Sequence, residues 1–129
     1  MDRVFLDANV LFSAAYRSDS GLAILWRREG AALLTSAYAE DEARRNRPER
    51  DQHRRLDAFV GACEIVPTPA VSRLPEGLVL PADDQLIFLA AMAARATHLL
   101  TGDKTHFGRY YRRTIAGVLI PPPSVYLRG

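Results

Sequence analysis

A carboxylate follows the first apolar run of the chain, where a strand is predicted to end and a helix to begin. Residues 4–6 (VFL) read as a buried strand, Asp7 comes directly after them, and an apolar helical pattern starts at Val10. In a parallel α/β sheet, the loops at the carboxyl ends of the strands form the ligand-binding crevice. Because burying an unpaired charge is expensive, Asp7 is a poor core residue and a natural metal ligand or catalytic group.

Further acids fall near the same predicted edge of the sheet. They are Asp103 after a later strand, Asp83 and Asp84 at the start of a helix, and Glu40, Asp41 and Glu42 in the helix after the second strand. Each acid alone can be explained without a site, as a turn residue, a surface residue or a partner of the helix dipole. Their shared placement at one edge indicates that some of them converge.

Helical spacing sorts these acids. Glu40 and Asp41 each have an arginine four residues later, which is typical of solvated surface pairs. Glu42 lies beside a small apolar face, so it is the acid of the three that we expect to point toward the sheet. Asp84 lies three residues before Ile87 on a helix predicted to be buried, which favours it over its neighbour Asp83. The sequence leaves the choice between these two aspartates open.

Alternating strands and helices predict a three-layer α/β/α fold with a central parallel sheet of about five strands. The predicted strands cover residues 4–6, 31–35, 64–66, 98–101 and 118–120. The predicted helices cover residues 10–16, 22–28, 37–46, 49–62, 83–95 and 110–113. The connection over residues 68–81 is rich in proline and predicts no regular element.

The bulk composition is that of an ordinary globular domain. The 129 residues are 48% hydrophobic and 25% charged, which suits one domain with its own core. Cys63 is the single cysteine, so an intramolecular disulfide framework is excluded and a reducing compartment is expected. No signal peptide is visible, and the longest apolar run, residues 86–94, is too short to span a bilayer. We therefore expect a cytoplasmic protein that does not enter a membrane.

The order and spacing of four segments resemble the PIN domain, a family of metal-dependent nucleases. The segments are residues 6–11 (LDANVL), 34–38 (LTSAY) leading to Glu42, 81–87 (PADDQLI) and 99–104 (LLTGDK). The resemblance extends over almost the whole chain and implies a single PIN-like domain over residues 1–129. Many compact members resemble the VapC-type toxins of prokaryotic toxin–antitoxin pairs, and this chain has their size.

The resemblance also implies a site and an activity. The acidic site falls on Asp7, Glu42, Asp84 and Asp103, with Asn9 and Thr101 as supporting polar residues. All four acids are expected to act in catalysis and to hold Mg²⁺ or Mn²⁺, which prefer hard oxygen ligands. The implied reaction is hydrolysis of RNA phosphodiester bonds, within the strand rather than from its ends. The implied partners are RNA, a second copy of the chain and a small antitoxin protein.

Arginine supplies nearly all of the positive charge. Of the 17 basic residues only Lys104 is a lysine, and arginine matches phosphate geometry better than lysine does. A GC-rich genome, which favours arginine codons, would give the same bias, and a solvated helix face would give the same clustering. Tyr110 and Tyr111 could stack on bases or pack inside the protein. The candidate RNA contacts are Arg44, Arg45, Arg47, Arg109 and Arg112.

Three alternatives compete with this interpretation. A receiver domain needs an aspartate after the third strand, but residues 65–67 are IVP. A haloacid-dehalogenase-type phosphatase needs Asp-x-Asp after the first strand, but the third position is Asn9. A PIN-like module that binds RNA or protein without cutting is the remaining alternative, and the retained acids favour the enzyme. The histidines His53, His98 and His106 lack metal-site spacing, and the sequence assigns them no role.

Overall fold

A six-stranded sheet forms the middle of the molecule. The computed structural model describes residues 1–45, 49–70 and 73–128. The strands are β1 (Asp2–Leu6), β2 (Ala31–Thr35), β3 (Glu64–Ile65), β4 (His98–Leu100), β5 (Arg113–Ile115) and β6 (Val118–Ile120). Their order in the sheet is β3-β2-β1-β4-β6-β5, and all neighbours pair in parallel except β5 and β6, which form an antiparallel hairpin.

Helices connect the strands and cover the sheet. The α-helices are α1 (Ala8–Tyr16), α2 (Ala37–Arg45), α3 (Arg50–Gly61), α4 (Ala82–Ala93), α5 (Lys104–Phe107) and α6 (Pro123–Arg128). Two 3-10 helices span Gly21–Arg27 and Gly108–Tyr110. Across residues 1–45, 49–70 and 73–128, none of the helices has the length and apolar character that crossing a membrane requires.

The core surrounds the central strand β1. Val4, Phe5 and Leu6 are completely buried, as expected for a parallel strand that helices cover on both faces. The middle of α4, from Ile87 to Ala91, is also buried, because its apolar side chains leave almost no polar face for solvent. Helix α1 packs against both α2 and α3. The predicted α/β/α class is confirmed.

The winding of the chain reverses between β1 and β4, and we call the region beyond the carboxyl ends of these two strands the crevice. From β1 the chain moves to β2 and β3 on one side, and β4 then returns to pair with the other side of β1. In such sheets the point where the winding reverses is the common ligand-binding position, at the carboxyl ends of the strands. Leu6 pairs with Leu100, so residues 7 and 101 leave the sheet side by side at this point.

The structure differs from the prediction in two respects. The sheet has six strands rather than about five, and the prediction of a helix over residues 110–113 was wrong. These residues were predicted to be helical, but Arg113 begins β5 and a turn precedes it. The hairpin closes over Ala116 and Gly117, both with positive φ, at 51° and 82°. A two-residue loop of this kind twists with the strands that it joins, but its usual marker is Asn-Gly or Gly-Gly. Because alanine, and not asparagine or glycine, occupies the first loop position, the sequence did not indicate a hairpin here.

Candidate metal centre

Asp7 lies at the bottom of the crevice, buried, with hydrogen bonds to both of its carboxylate oxygens. Its backbone N–H donates to the carbonyl of Leu100 (3.1 Å), which extends the β1–β4 pairing by one residue. Its carboxylate Oδ1 caps helix α1 by accepting from the N–H of Ala8 (2.7 Å). Its Oδ2 accepts from the hydroxyl of Thr101 (2.8 Å) and from the amide of Asn9 (3.2 Å). These donors allow a carboxylate that is only 4% exposed.

Asn9 and Thr101 fix the loop that carries Asp103. The hydroxyl oxygen of Thr101 accepts from the N–H of Asp103 (3.1 Å), and the Oδ1 of Asn9 accepts from the N–H of Gly102 (2.7 Å). A Cβ atom on Gly102 would lie 3.3 Å from the Oδ1 of Asn9, so glycine permits this close approach. The two residues predicted to support the acids thus connect α1 with the end of β4.

Asp84, Asp103 and His106 come together at the outer end of the crevice. Asp103 caps α5, with its Oδ1 accepting from the N–H of His106 (3.2 Å). The Nδ1 atom of His106 lies 2.7 Å from Oδ2 of Asp103 and 3.1 Å from Oδ2 of Asp84. One ligand atom from each residue lies within 4.8 Å of the others. We call these three residues the outer cluster.

The structure separates the two aspartates that the sequence could not distinguish. Asp84 is half-buried and faces Asp103 and His106. Asp83 is exposed and lies close to the hydroxyl of Tyr38, which is also close enough to Glu42 for the two groups to interact. Burial, followed by the interaction with Asp83, raises the pKa of Tyr38, so this hydroxyl stays protonated and can donate its single hydrogen to one of the two carboxylates at a time. Asp84 is therefore the aspartate next to Asp103, and Tyr38 lies near both Asp83 and Glu42.

Like charges crowd this edge of the sheet. Burial raises the pKa of Asp7 to about 6, the Thr101 and Ala8 hydrogen bonds oppose that rise, and the charges of Asp84 and Glu42 add to it. Burial, followed by the charge of Asp103, also raises the pKa of Asp84. All four predicted acids therefore lie close enough to interact. Crowded carboxylate oxygens are the donors that hard divalent cations take, so the residues fit such an ion.

The first three candidate RNA contacts, Arg44, Arg45 and Arg47, differ in their surroundings. Arg44 pairs with Glu40 and with Asp57, at 2.8 Å in both cases, so two carboxylates already balance its charge. Arg45, the last residue of α2, is exposed. Arg47 lies outside the described residues.

The other two candidate RNA contacts, Arg109 and Arg112, follow Asp103 closely in the chain. Arg109 is exposed and its guanidinium lies 5.3 Å from the centre of the Tyr110 ring, while Arg112 is exposed with a φ of 67°. Tyr110 itself is buried, and the hydroxyl of Tyr111 donates to the carbonyl of Thr101 (2.7 Å). The two tyrosines therefore pack and support the site loop, whereas the side chains of Arg109 and Arg112 are exposed.

Two neighbours of the acids were missed by the sequence reasoning. The spacing between the three histidines does not point to His106. The usable signal was Asp103-x-x-His106, since residues three apart meet on one face of a helix. Tyr38 had a similar signal, because it lies four residues before Glu42 on α2.

Comparison with known proteins extends the description of the fold. No family model matches the chain, and no curated protein matches it. A solved structure of VapBC2 from Rickettsia felis, bound to a DNA fragment from its promoter, contains a chain that superimposes with a TM-score of 0.62. The match covers 93% of this chain and 98% of that chain, at 17% sequence identity. The fold is PIN-like. At this identity the likeness concerns the fold, and the catalytic and RNA-binding roles stay predictions.

The raised pKa of Asp7 predicts how the stability of the metal-free protein changes with pH. Between about pH 4 and pH 6 the unfolded chain has already released the Asp7 proton that the folded chain retains, so rising pH lowers the free energy of unfolding. The full effect is on the order of 3 kcal/mol. We expect urea unfolding in a chelator to show this loss in the wild type and a flatter pH dependence in Asp7→Asn.

The exposed Asp41 provides the control for that comparison. Asp41→Asn should follow the pH dependence of the wild type. An identical pH dependence in the wild type and Asp7→Asn would contradict a buried carboxylate with a raised pKa.

Proposed function

We propose that residues 1–129 form one PIN-like nuclease domain that hydrolyses RNA in the cytoplasm with the help of Mg²⁺ or Mn²⁺. The observation that carries this proposal is the convergence of Asp7, Glu42, Asp84 and Asp103 at the reversal point of the sheet. Such crowding costs stability, and function is the usual reason that a protein retains it. Acid-rich sites of this kind suit phosphodiester hydrolysis because a divalent ion can bridge the carboxylates and a phosphate.

The four acids would have different roles in the site according to how deeply each is buried. Asp84 and Asp103, which solvent reaches, would hold the ion from the outer side, and Asp7 would hold it from below. A bound divalent ion would polarise the scissile phosphate and make a nearby water more acidic. Glu42, which lies near the Tyr38 hydroxyl, would orient the attacking water. Thr101 and Asn9 would keep Asp7 and the Asp103 loop in register, because their hydrogen bonds connect the two.

The substrate would bind along the basic side chains near the acids. We propose Arg45, Arg109 and Arg112 as phosphate contacts, because all three are exposed. Arg44 would contribute less, because its two ion pairs must break before it can bind a phosphate. Arg47 is included on the basis of the sequence alone. Phosphates held by these side chains would place the strand across the outer cluster.

We further propose that the protein is the toxin of a toxin–antitoxin pair and acts as a homodimer. Two features support this: the resemblance of its motifs to VapC-type toxins, and the fold that it shares with a chain of the VapBC2 structure. A small antitoxin would then inhibit the protein by covering the acidic crevice. A basic side chain of the antitoxin suits that crevice, because it would pair with carboxylates that otherwise repel one another.

Loss of one half-buried carboxylate should abolish most of the cleavage. Asp103→Asn keeps the shape of the side chain but replaces a charged ligand with a weak neutral one, so we expect a loss on the order of 10²-fold or more. The measurement is cleavage of a labelled single-stranded RNA in MnCl₂, with no cleavage in a chelator. Asp41→Asn, purified in parallel, should cleave like the wild type. Wild-type cleavage by a folded Asp103→Asn protein would refute the proposed active site.

Removal of the proposed phosphate-binding side chains should reduce the salt dependence of RNA binding. On single strands the log–log slope should fall by roughly 0.7 for each phosphate that the protein no longer neutralises. We expect this for Arg45→Gln, Arg109→Gln and Arg112→Asn, measured by fluorescence anisotropy in the Asp103→Asn background. Asparagine is used at position 112 because it tolerates the positive φ found there.

Arg95 gives a matched control for Arg112. It is also exposed with a positive φ, 56°, but it follows the far end of α4, about 15 Å along the helix from Asp84. Arg95→Asn should leave the salt slope unchanged. Equal slopes for Arg112→Asn, Arg95→Asn and the wild type would show that Arg112 does not contact RNA.

The toxin role predicts a growth phenotype. Expression of the wild-type protein alone should stop growth, expression of Asp103→Asn should not, and co-expression with the product of an adjacent small open reading frame should restore growth. The readout is colony formation, with equal amounts of folded protein verified by immunoblot. A harmless wild-type protein would refute the toxin role, while the cleavage assay would still decide the nuclease activity.

A further inference from the structure

The outer cluster contains one nitrogen donor among its carboxylate oxygens. Nδ1 of His106 is directed at two carboxylates that belong to different elements: Asp103 precedes α5, and Asp84 lies in the first turn of α4. Nδ1 carries at most one hydrogen, which can point along one of these two directions. A hydrogen bond therefore satisfies one contact well and leaves the other to charge attraction alone.

A metal ion would satisfy all three ligand atoms together. With metal–ligand bonds of about 2.1 Å, neighbouring ligands around an octahedral ion lie about 3 Å apart. The distances from Nδ1 to the two oxygens, 2.7 and 3.1 Å, match that spacing. The orientation of His106 is also restrained, because its backbone N–H donates to the other oxygen of Asp103 (3.2 Å). This backbone hydrogen bond keeps the imidazole beside the two carboxylates.

We propose that His106 is a metal ligand through Nδ1, and that this nitrogen makes the site prefer Mn²⁺ to Mg²⁺. The inference depends on the metal site of the proposed function and names a ligand that the four acids do not include. Imidazole nitrogen binds first-row transition metals well, whereas Mg²⁺ strongly prefers oxygen and retains its waters. A site of carboxylates alone would discriminate less between the two ions.

Pulsed electron paramagnetic resonance of the Mn²⁺-loaded protein tests this directly. A coordinated imidazole nitrogen modulates the electron spin echo of Mn²⁺, and carboxylate or water ligands produce no such nitrogen signal. We expect the modulation in the wild type and its loss in His106→Ala. His53→Ala, which removes an exposed histidine from α3, should retain it. Absence of nitrogen modulation in Mn²⁺-loaded wild type would overturn the inference.

Competition titrations give an independent readout. Loss of a residue that merely orients a ligand already costs about tenfold in metal affinity, so loss of a ligand should cost Mn²⁺ binding at least that much. Mg²⁺ affinity should change much less in His106→Ala. Equal losses for the two ions, or no loss of Mn²⁺ affinity, would overturn the preference assigned to His106.

These measurements separate this inference from the proposed nuclease activity. A protein that cleaves RNA but shows only oxygen ligands around Mn²⁺ would refute the His106 ligand and leave the nuclease intact. A protein that shows the nitrogen signal but cleaves no RNA would refute the nuclease and leave the His106 ligand intact. A folded wild type that binds no Mn²⁺ would refute both.

Discussion

Burial of the Asp7 carboxylate between β1 and β4 is the constraint on which the rest of the site depends. A buried charge is tolerated because three donors surround it: the N–H of Ala8, the hydroxyl of Thr101 and the amide of Asn9. Ala8 and Asn9 follow β1, and Thr101 follows β4. The carboxylate therefore joins the start of α1 to the end of β4. The hydroxyl of Thr101 also accepts from the N–H of Asp103 and so couples the deep acid to the outer cluster.

The carboxyl edge of the sheet concentrates polar groups that the rest of the interior lacks. Within the part of the chain that the structure describes, the buried polar or charged residues are Asp7, Thr35, Ser36 and Thr101. All of them lie at the carboxyl ends of β1, β2 and β4. Each has a hydrogen-bond partner, and Ser36 caps α2 by accepting from the N–H of Ala39. The edge is therefore polar, which suits the proposed binding of a metal ion and a phosphate there.

Much of this arrangement could be predicted because its signals are local. The apolar run before Asp7 predicted a buried strand, which the structure contains. The predicted burial of α4 favoured Asp84 over Asp83, and in the structure Asp84 lies beside His106 and interacts with Asp103. The remaining features depend on distant contacts or on unusual residues. The approach of His106 to Asp84 follows from how α4 docks on the sheet, which no local pattern encodes. The β5–β6 hairpin escaped prediction because Ala116 occupies a position where glycine or asparagine is expected.

Whether the converging acids form one metal site is the central question, and crystallography with MnCl₂ tests it most directly. Crystals grown with millimolar Mn²⁺, measured at a wavelength where manganese scatters anomalously, would locate the ion without assumptions about its ligands. We predict an anomalous peak bounded by the carboxylates of Asp84 and Asp103, on the side of the crevice that leads to Asp7. A well-ordered crevice without a manganese peak, or a peak bound only at another surface, would contradict a single metal site.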